Sequence, residues 1–267
     1  MQATPEPFRI LFIGNSYTSR NQLPRRVADL AASGRQPKPV EVAAIVAGGA
    51  SLRRHWNAGL AQRALAGAAW TCVVLQEQST LPIKNVVRYH DNVRRFVSEI
   101  KVHGARTVLY QTWARQQAPQ TQDDINRAVE EIAAEVGALV VPVGRAWQAA
   151  IERGLAAELY ERDGSHPTVA GSYLAACVFV VSLLGEAPVG FAVSEDARAR
   201  AHACCRDARD RVGLQPAAAT RSLTGTRVRA LCYSPARWTN EHPAGGIRRA
   251  TWRRYSASPA RSPRRST

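Results

Sequence analysis

Several features that would assign this sequence to a familiar class are missing from its 267 residues. The five cysteines are odd in number and include no C-x-x-C pair, which predicts neither a disulfide framework nor a zinc site. The longest apolar segment, around residues 173–184, is too short and too mixed to span a membrane. The N-terminal residues contain no basic stretch followed by an apolar one, so no signal peptide is predicted. We therefore expect a soluble, cytoplasmic protein, with Cys72 and Cys177 as small core residues.

Lysine and acidic residues are nearly absent from one part of the chain. Residues 213–267 hold eleven arginines, no lysine and one acidic residue, in a chain whose formal net charge is +15. Arg, Ser, Pro, Gly and Thr dominate this segment without a sustained period, which predicts disorder. Aromatic residues between the arginines leave binding to nucleic acid or an anionic surface as an alternative, although solvated termini of this kind are commoner. We predict a folded domain over residues 1–212, which ends in a charged helix over residues 195–212, and a basic tail over residues 213–267.

The first 190 residues alternate short apolar runs with amphipathic helical stretches. Each apolar run is almost continuous, as expected when helices cover both faces of a parallel sheet. The sequence therefore predicts an α/β fold, a three-layer α/β/α sandwich with a five-stranded parallel sheet. The strand candidates are residues 9–13, 40–46, 71–76, 106–112 and 138–143, and the helical patterns lie near residues 22–33, 52–68, 86–103, 122–136, 145–155 and 167–184.

Polar residues and glycines follow the candidate strands, at the edge where an open parallel sheet binds its ligands. The first strand continues into Gly14-Asn15-Ser16, and polar segments also occupy residues 47–51, 76–79 and 112–115. A Gly-Asn-Ser triplet alone is more typical of a turn than of a nucleophile. A serine hydroxyl needs a base within hydrogen-bond reach before it attacks efficiently. The rest of the sequence must therefore supply that base.

A candidate base lies about 150 residues further along the chain, in RDGSHPTVAG at residues 162–171. Asp163 and His166 are three positions apart and directly precede Pro167, which suits the start of a helix. This spacing lets one loop present both side chains, with the carboxylate accepting a hydrogen bond from the imidazole Nδ1–H and fixing the tautomer. His166 is the predicted base for Ser16.

Taken together, these segments resemble the SGNH (GDSL-type) hydrolases, a family named for four residues in four separate blocks. The first block is usually Gly-Asp-Ser, and here Asn15 replaces the aspartate. The second is a glycine, for which Gly48 and Gly49 are available and Gly49 has the better G-x-[ST] context. The third is normally G-x-N-D, which the sequence LQEQS at residues 75–79 does not match. The last is D-x-x-H, and residues 163–166 match it.

The resemblance implies a flavodoxin-like, SGNH hydrolase fold and a serine esterase mechanism without a cofactor or metal. It makes Ser16 the nucleophile, His166 the general base and then acid, and Asp163 the group that orients the imidazole. The implied substrate is a small ester, such as an O-acetylated carbohydrate or another short acyl ester.

The resemblance also implies an oxyanion hole. Its donors are the backbone N–H groups of Ser16 and Gly49 together with one side-chain amide. Gln78 supplies that amide by spacing and Gln76 is the alternative, because glutamine replaces the usual asparagine. Glu77 lies between the two amides as a structural hydrogen-bond partner, with no catalytic role predicted.

Two other enzyme classes fit the sequence less well. The α/β-hydrolases share the order Ser, Asp, His, but they carry the serine in a G-x-S-x-G elbow that is absent here. Neither G-x-G-x-x-G nor G-x-x-x-x-G-K-[ST] occurs, which disfavours a phosphate-binding loop. A binding protein that keeps the SGNH fold with weak or no activity remains an alternative, because the third block is divergent.

Substrate contacts are predicted at the ends of the first and fourth strands. Trp113 and Arg115 precede the amide-rich segment at residues 116–124, a combination that suits a sugar or a small polar ester. Asn15, beside the predicted nucleophile, is the third candidate contact. Packing of Trp113 against a neighbouring helix is an equally good interpretation.

Overall fold

The computed structural model describes residues 6–34 and 38–185 of the chain. The predicted domain boundary at residue 212, the predicted helix at residues 195–212 and the basic tail lie outside the described residues. None of the helices in these two described ranges is both long enough and apolar enough to cross a membrane.

A parallel sheet of five strands forms the centre of the fold, in the order β2-β1-β3-β4-β5. Ile13 of the first strand pairs with Ile45 on one side and with Leu75 on the other. This order is the flavodoxin-like one, in which the chain reverses direction across the sheet between β1 and β3. The predicted three-layer fold is therefore confirmed. The strands are β1 (Phe8–Gly14), β2 (Val40–Val46), β3 (Cys72–Leu75), β4 (Arg106–Tyr110) and β5 (Leu139–Val141).

Helices connect the strands and cover the sheet. The helical pattern at residues 52–68 is divided into two helices, because Gly59 adopts a left-handed conformation with φ of 68° and ends the first of them. The pattern at residues 145–155 begins two residues earlier, at Val143, and ends at Ile151. The helices are α1 (Ser16–Ser19), α2 (Leu23–Ser33), α3 (Leu52–Ala58), α4 (Leu60–Gly67), α5 (Leu81–Lys84), α6 (Val86–Val102), α7 (Gln122–Val136), α8 (Val143–Ile151), α9 (Ala156–Leu159) and α10 (Val169–Leu184).

The hydrophobic core has two parts, one on each face of the sheet. Side chains alternate between the faces along a strand, so Ile10 and Phe12 of β1 lie in one part and Leu11 and Ile13 in the other. The first part contains residues from α2, α8 and α10, and the second contains residues from α6 and α7. Cys72 and Cys177 are buried in the first part, as predicted. Both faces of the sheet are thus covered, which leaves the carboxyl ends of the strands as the place for a site.

Candidate active site

Ser16 is the first residue of α1, and one residue, Asn15, separates it from the end of β1. Asn15 caps this helix: its Oδ1 accepts a hydrogen bond from the N–H of Tyr17 at 3.0 Å, and its Nδ2 donates to the carbonyl of Ala50 at 3.1 Å. The Asn15 residue is only 3% exposed. The predicted substrate contact of Asn15 is therefore wrong, because both ends of its amide hold the turn that presents Ser16.

Gly14 allows the chain to approach the end of β3 closely. A Cβ atom at this position would lie 2.4 Å from Thr18 Oγ1 and 2.6 Å from Gln76 Oε1. We expect Gly14→Ala to lower the free energy of unfolding in urea by about 2–3 kcal/mol, because buried polar partners have to move apart. Gly48→Ala is the matched control, since a Cβ there meets no atom within 4 Å. Equal stability of the two variants would contradict the close approach.

His166 reaches Ser16 from the loop that precedes α10. Its Nε2 lies 2.8 Å from Ser16 Oγ, and its Nδ1 lies 2.5 Å from Asp163 Oδ2. The other carboxylate oxygen, Oδ1, accepts hydrogen bonds from the N–H groups of Ser165 and His166, both at 2.9 Å. The structure thus brings together the three side chains that the sequence predicts as a nucleophile, a base and an orienting carboxylate.

The protonation of this group follows from its hydrogen bonds. The bond to His166 lowers the pKa of Asp163 to about 2, with the backbone N–H bonds acting in the same direction. An ionised carboxylate only accepts hydrogen bonds, so Nδ1 of His166 carries a proton. In the neutral ring, Nε2 is then the acceptor and faces the hydroxyl of Ser16. The ring is therefore oriented to take a proton from the serine.

An aromatic stack supports the loop that carries His166. The ring of Trp113 lies between Tyr17, at a centroid distance of 4.7 Å, and Trp147, at 3.8 Å. Its Nε1 donates to the carbonyl of Ser165 at 3.0 Å, and the Tyr17 hydroxyl lies 2.7 Å from Ser165 Oγ. Trp113 is only 1% exposed. The prediction that it contacts substrate is wrong, because its ring is enclosed by other aromatic rings and its N–H is used to position the loop.

A strained turn joins the segment that carries Ser16 to the segment that carries His166. Asn21 and Gln22 have φ angles of 51° and 55°, in the left-handed region that is costly for residues other than glycine. Asn21 Nδ2 donates to the carbonyl of Pro167 at 3.0 Å and to Ser172 Oγ at 2.9 Å. The segment after Ser16 is thereby bonded to the segment after His166. This link was not predicted, and its only signal in the sequence is the tolerance of asparagine for left-handed backbone.

A second histidine lies near the nucleophile but has a structural contact. His55 is buried, and its Nε2 lies 2.7 Å from the carbonyl of Gly14. A carbonyl only accepts hydrogen bonds, so Nε2 of His55 carries the proton. Burial lowers the pKa of His55, which keeps the ring neutral. His55 therefore holds the end of β1 in place, and its Nε2 is not available as a base.

The chain matches no protein-family model and no curated protein. Among solved structures, a protein of Slackia heliotrinireducens described as an SGNH hydrolase is 34% identical, with a TM-score of 0.58, and the match covers 67% of this chain and all of that one. The chain belongs to the SGNH hydrolase family. This membership makes it a hydrolase of the SGNH/GDSL type, the class of carboxylic ester hydrolases that the sequence predicts.

Two more distant structures share the fold of this SGNH hydrolase. A DUF4886 family protein from Bacteroides uniformis is 20% identical, with a TM-score of 0.59 and coverage of 78% of this chain and 95% of that one. A catalytic mutant of Axe2, an acetylxylan esterase from Geobacillus stearothermophilus, is 21% identical, with a TM-score of 0.54 and coverage of 69% and 94%. At these identities the likeness concerns the fold alone.

The second block of the SGNH hydrolase forms a turn at the end of β2. Gly49 has a φ of 62°, which favours glycine, and a Cβ built on it meets no atom within 4 Å. Gly49 is exposed. Its backbone conformation explains why a glycine stands there, and its N–H remains a predicted donor.

The two glutamines of the third block have different environments. Gln76 is fully buried; its Oε1 accepts from the N–H of Asn15 at 2.8 Å and from Thr18 Oγ1 at 2.9 Å, and its Nε2 donates to the carbonyl of Glu77. Gln78 is partly exposed. Within the described part of the chain, its side chain is bonded only through Oε1, which accepts from the N–H and the hydroxyl of Thr80 at 3.0 Å each. Gln76 therefore joins β1 to β3 and is not available to a substrate, whereas the Nε2 of Gln78 is.

Arg115 follows β4 close to the triad. The next residue, Gln116, donates its N–H to the carbonyl of Gly164 at 2.8 Å, so this segment lies against the loop of Asp163 and His166. Arg115 is exposed. Burial raises the pKa of Tyr17, and the charge of Arg115 acts against that rise. A substrate contact of Arg115 stays a prediction.

Proposed function

We propose that this SGNH hydrolase cleaves small carboxylic esters by a Ser-His-Asp acyl-enzyme mechanism. The observation that carries the proposal is the 2.8 Å contact between Ser16 Oγ and His166 Nε2, with Asp163 bonded behind the imidazole. A hydroxyl and a base at this distance and in this tautomer are what nucleophilic catalysis by serine requires. The tight turn at Gly14 and Asn15 holds the hydroxyl in place before substrate binds.

In the first half of the reaction, His166 Nε2 accepts the proton of Ser16 as Oγ attacks the ester carbonyl. The tetrahedral intermediate then collapses, and the alcohol leaves with the proton from His166. In the second half, His166 takes a proton from water and the hydroxide attacks the acyl group on Ser16. The acid is released as His166 returns that proton to Ser16 Oγ. Asp163 stays ionised throughout and stabilises the imidazolium that forms in each half.

The oxyanion that forms in both halves needs preorganised donors. We assign this role to the backbone N–H groups of Ser16 and Gly49 and to the Nε2 of Gln78. The choice of Gln78 rests on the neighbouring positions of the two strands, since β1 and β3 pair up to Ile13 and Leu75, and Ser16 and Gln78 each follow shortly after these residues. One such donor contributes roughly 3 kcal/mol to the stabilisation of the transition state. The longer glutamine side chain thus replaces the family's asparagine.

The substrate we propose is a short acyl ester of a polar alcohol, such as an O-acetylated carbohydrate. Three exposed polar side chains follow β4, those of Arg115, Gln116 and Gln117, beside the loop of the triad. Polar groups of this kind suit hydroxyl-rich alcohols better than long acyl chains. The shared fold with an acetylxylan esterase is consistent with this choice.

Covalent labelling tests the proposed nucleophile directly. We expect a fluorophosphonate probe to modify Ser16 in the native protein, because only an activated serine reacts. Mass spectrometry of the tryptic peptide that begins after Arg9 locates the modified residue. Heat-unfolded protein and Ser16→Ala are expected to stay unlabelled. Native protein that resists the probe would favour the alternative of an inactive protein with the same fold.

A panel of esters tests the proposed substrate class. We expect kcat/KM to be at least about tenfold higher for acetyl esters than for p-nitrophenyl decanoate; the acetyl esters are acetylated xylose, acetylated glucose and p-nitrophenyl acetate. The reason is that a missing polar contact commonly costs about 1.4 kcal/mol or more. Ser16→Ala is the control for each ester. A preference for the long acyl chain would contradict the substrate class and leave the mechanism in place.

A further inference from the structure

Glu77 is a buried carboxylate that no step of the proposed reaction uses. It lies just beyond β3 and is 5% exposed. Its Oε1 accepts hydrogen bonds from the N–H of Leu52 at 3.0 Å and from the N–H of Gln78 at 2.7 Å. Its Oε2 accepts one from Asn92 Nδ2 at 2.9 Å. A carboxylate therefore joins three separate segments of the chain.

The surroundings of Glu77 hold it in its ionised form. Within residues 6–34 and 38–185, three N–H donors and no acceptor bond to its two oxygens. Burial raises the pKa of Glu77, while these bonds and the charge of Arg88 act against that rise. A carboxyl surrounded only by donors is best satisfied as an anion. The network continues outward, since Asn92 Oδ1 accepts from Arg53 Nε at 3.2 Å.

The two backbone groups on Oε1 belong to the two segments that carry oxyanion donors. Gln78 has the side-chain amide, and its own N–H is one of the two bonds. Leu52 begins α3, three residues after Gly49, and its N–H is the other. One oxygen atom thus fixes the distance between the backbone of Gln78 and the end of the Gly49 turn.

We propose that Glu77 is a positioning residue of the oxyanion hole, which holds the Gln78 amide and the Gly49 N–H at the separation that a tetrahedral intermediate requires. This inference rests on the proposed function, because it assumes that these donors bind an oxyanion. It also explains how the divergent third block could position its amide without the family's usual residues. The longer glutamine is fixed through its backbone by the carboxylate that precedes it.

Glu77→Gln is the principal test. The new side chain keeps an Oε1 for the two N–H groups, but its Nε2 faces Asn92 Nδ2, so that two donors meet. Turning the Asn92 amide would repair this contact only by taking Oδ1 away from Arg53. We expect kcat for p-nitrophenyl acetate to fall by about 10- to 100-fold with KM changed by less than about twofold, because small displacements of preorganised groups act on the transition state.

The double variant Glu77→Gln/Asn92→Asp is the matched rescue. A carboxylate at position 92 accepts from the new Nε2 and from Arg53, so each hydrogen bond has a donor and an acceptor again while the number of charges is unchanged. We expect kcat to return to within about threefold of the wild type. A double variant as slow as Glu77→Gln would overturn the proposal, because the bonds would be restored without the activity.

A double-mutant cycle separates positioning from a general loss of stability. In the Gln78→Ala background, the amide that Glu77 positions is already absent. The Gly49 N–H is then the donor left for Glu77 to position, so we expect Glu77→Gln to lower kcat by a factor at least about threefold smaller there than in the wild type. Equal effects in the two backgrounds would show that Glu77 acts on the fold as a whole and would overturn the proposal. If Glu77→Gln does not fold, Asn92→Ala takes its place in the same cycle.

The failures of the two proposals are distinguishable. Absence of fluorophosphonate labelling at Ser16 in the wild type would overturn the proposed function. Normal labelling and turnover in the wild type, together with an unchanged kcat in Glu77→Gln, would overturn only the positioning role of Glu77.

Discussion

Ser16→Ala is expected to lower kcat for p-nitrophenyl acetate by at least about 10⁴-fold, to a rate set by the oxyanion donors and by binding alone. The reason is that no acyl-enzyme can form once the hydroxyl is removed. The fold is expected to survive, because the cap of α1 is the side chain of Asn15 rather than that of Ser16. Steady-state hydrolysis, corrected for the spontaneous rate, measures the loss, and thermal unfolding verifies the fold.

Ser19→Ala is the control for this variant. Ser19 is the last residue of the same short helix and is exposed. Its substitution is expected to leave kcat within about twofold of the wild type. Turnover in Ser16→Ala that equals the wild-type rate would rule out Ser16 as the nucleophile, whatever the behaviour of Ser19→Ala.

The second large effect is expected in the pair that serves Ser16. His166→Ala removes the base and is expected to lower kcat by about 10³- to 10⁴-fold. Asp163→Asn keeps an oxygen for the N–H groups of Ser165 and His166 but turns an NH₂ toward His166 Nδ1. The ring must then carry its proton on Nε2, facing Ser16, and cannot accept from it. We expect a loss of about 10²-fold or more, since the wrong tautomer is the cause.

The ionised state of Asp163 can be tested by varying the pH. The folded-state pKa of Asp163 is about 2, below its ordinary value of 3.8, because the bond to His166 favours the carboxylate. Its contribution to stability is therefore complete above the ordinary pKa and is lost as the pH falls through the folded one. Between about pH 5 and pH 8, we expect the ¹³C resonance of the Asp163 carboxyl group to keep the position of an ionised carboxylate, because Asp163 does not titrate there. A resonance that moves to the position of a protonated carboxyl group within this interval would contradict the ionised state of Asp163.

His103→Ala is a control for the histidine variant. His103 directly follows α6, and its Nε2 lies 3.5 Å from Oε1 of Glu99, four residues before it in the chain. It has no part in the proposed mechanism, so its removal is expected to change kcat by less than about twofold. A loss in His103→Ala comparable to that in His166→Ala would remove the argument for a specific base.

Strand positions were predictable because every strand residue except Glu41 is buried or half-buried, so that each strand is an almost continuous apolar run. β2 occupies the same residues, Val40–Val46, that the apolar run predicts, and the other strands lie within or close to their predicted ranges. The division of the helical pattern at Gly59 was not predicted, although the glycine was visible. A glycine within a helical pattern is compatible with a continuous helix, and only the tertiary packing decides between the two.

The site was predictable where spacing within one segment determines geometry. Asp163 and His166 are bonded as their three-residue spacing suggests. The substrate contact predicted for Asn15 was wrong, and of the two interpretations of Trp113 the packing one holds. A position at the end of a strand does not specify whether a side chain turns toward the pocket or toward the core. The difference between Gln76 and Gln78 has the same origin, since the alternation of a strand does not continue into the turn after β3. There the Oε1 of Gln76 bonds to Asn15 and Thr18, whereas the Oε1 of Gln78 bonds to Thr80.

The strained turn at Asn21 has a consequence for how this enzyme acquires activity. Its bond to Ser172 joins residues 151 positions apart, and the contact of Ser16 with His166 spans 150. Contacts between such distant segments form late, because the intervening chain must first be ordered. A nascent or truncated chain that ends before Asp163 can build the nucleophile turn but holds no base. Ester turnover therefore measures the last stage of folding, and we expect a refolding chain to recover its sheet before its hydrolytic activity.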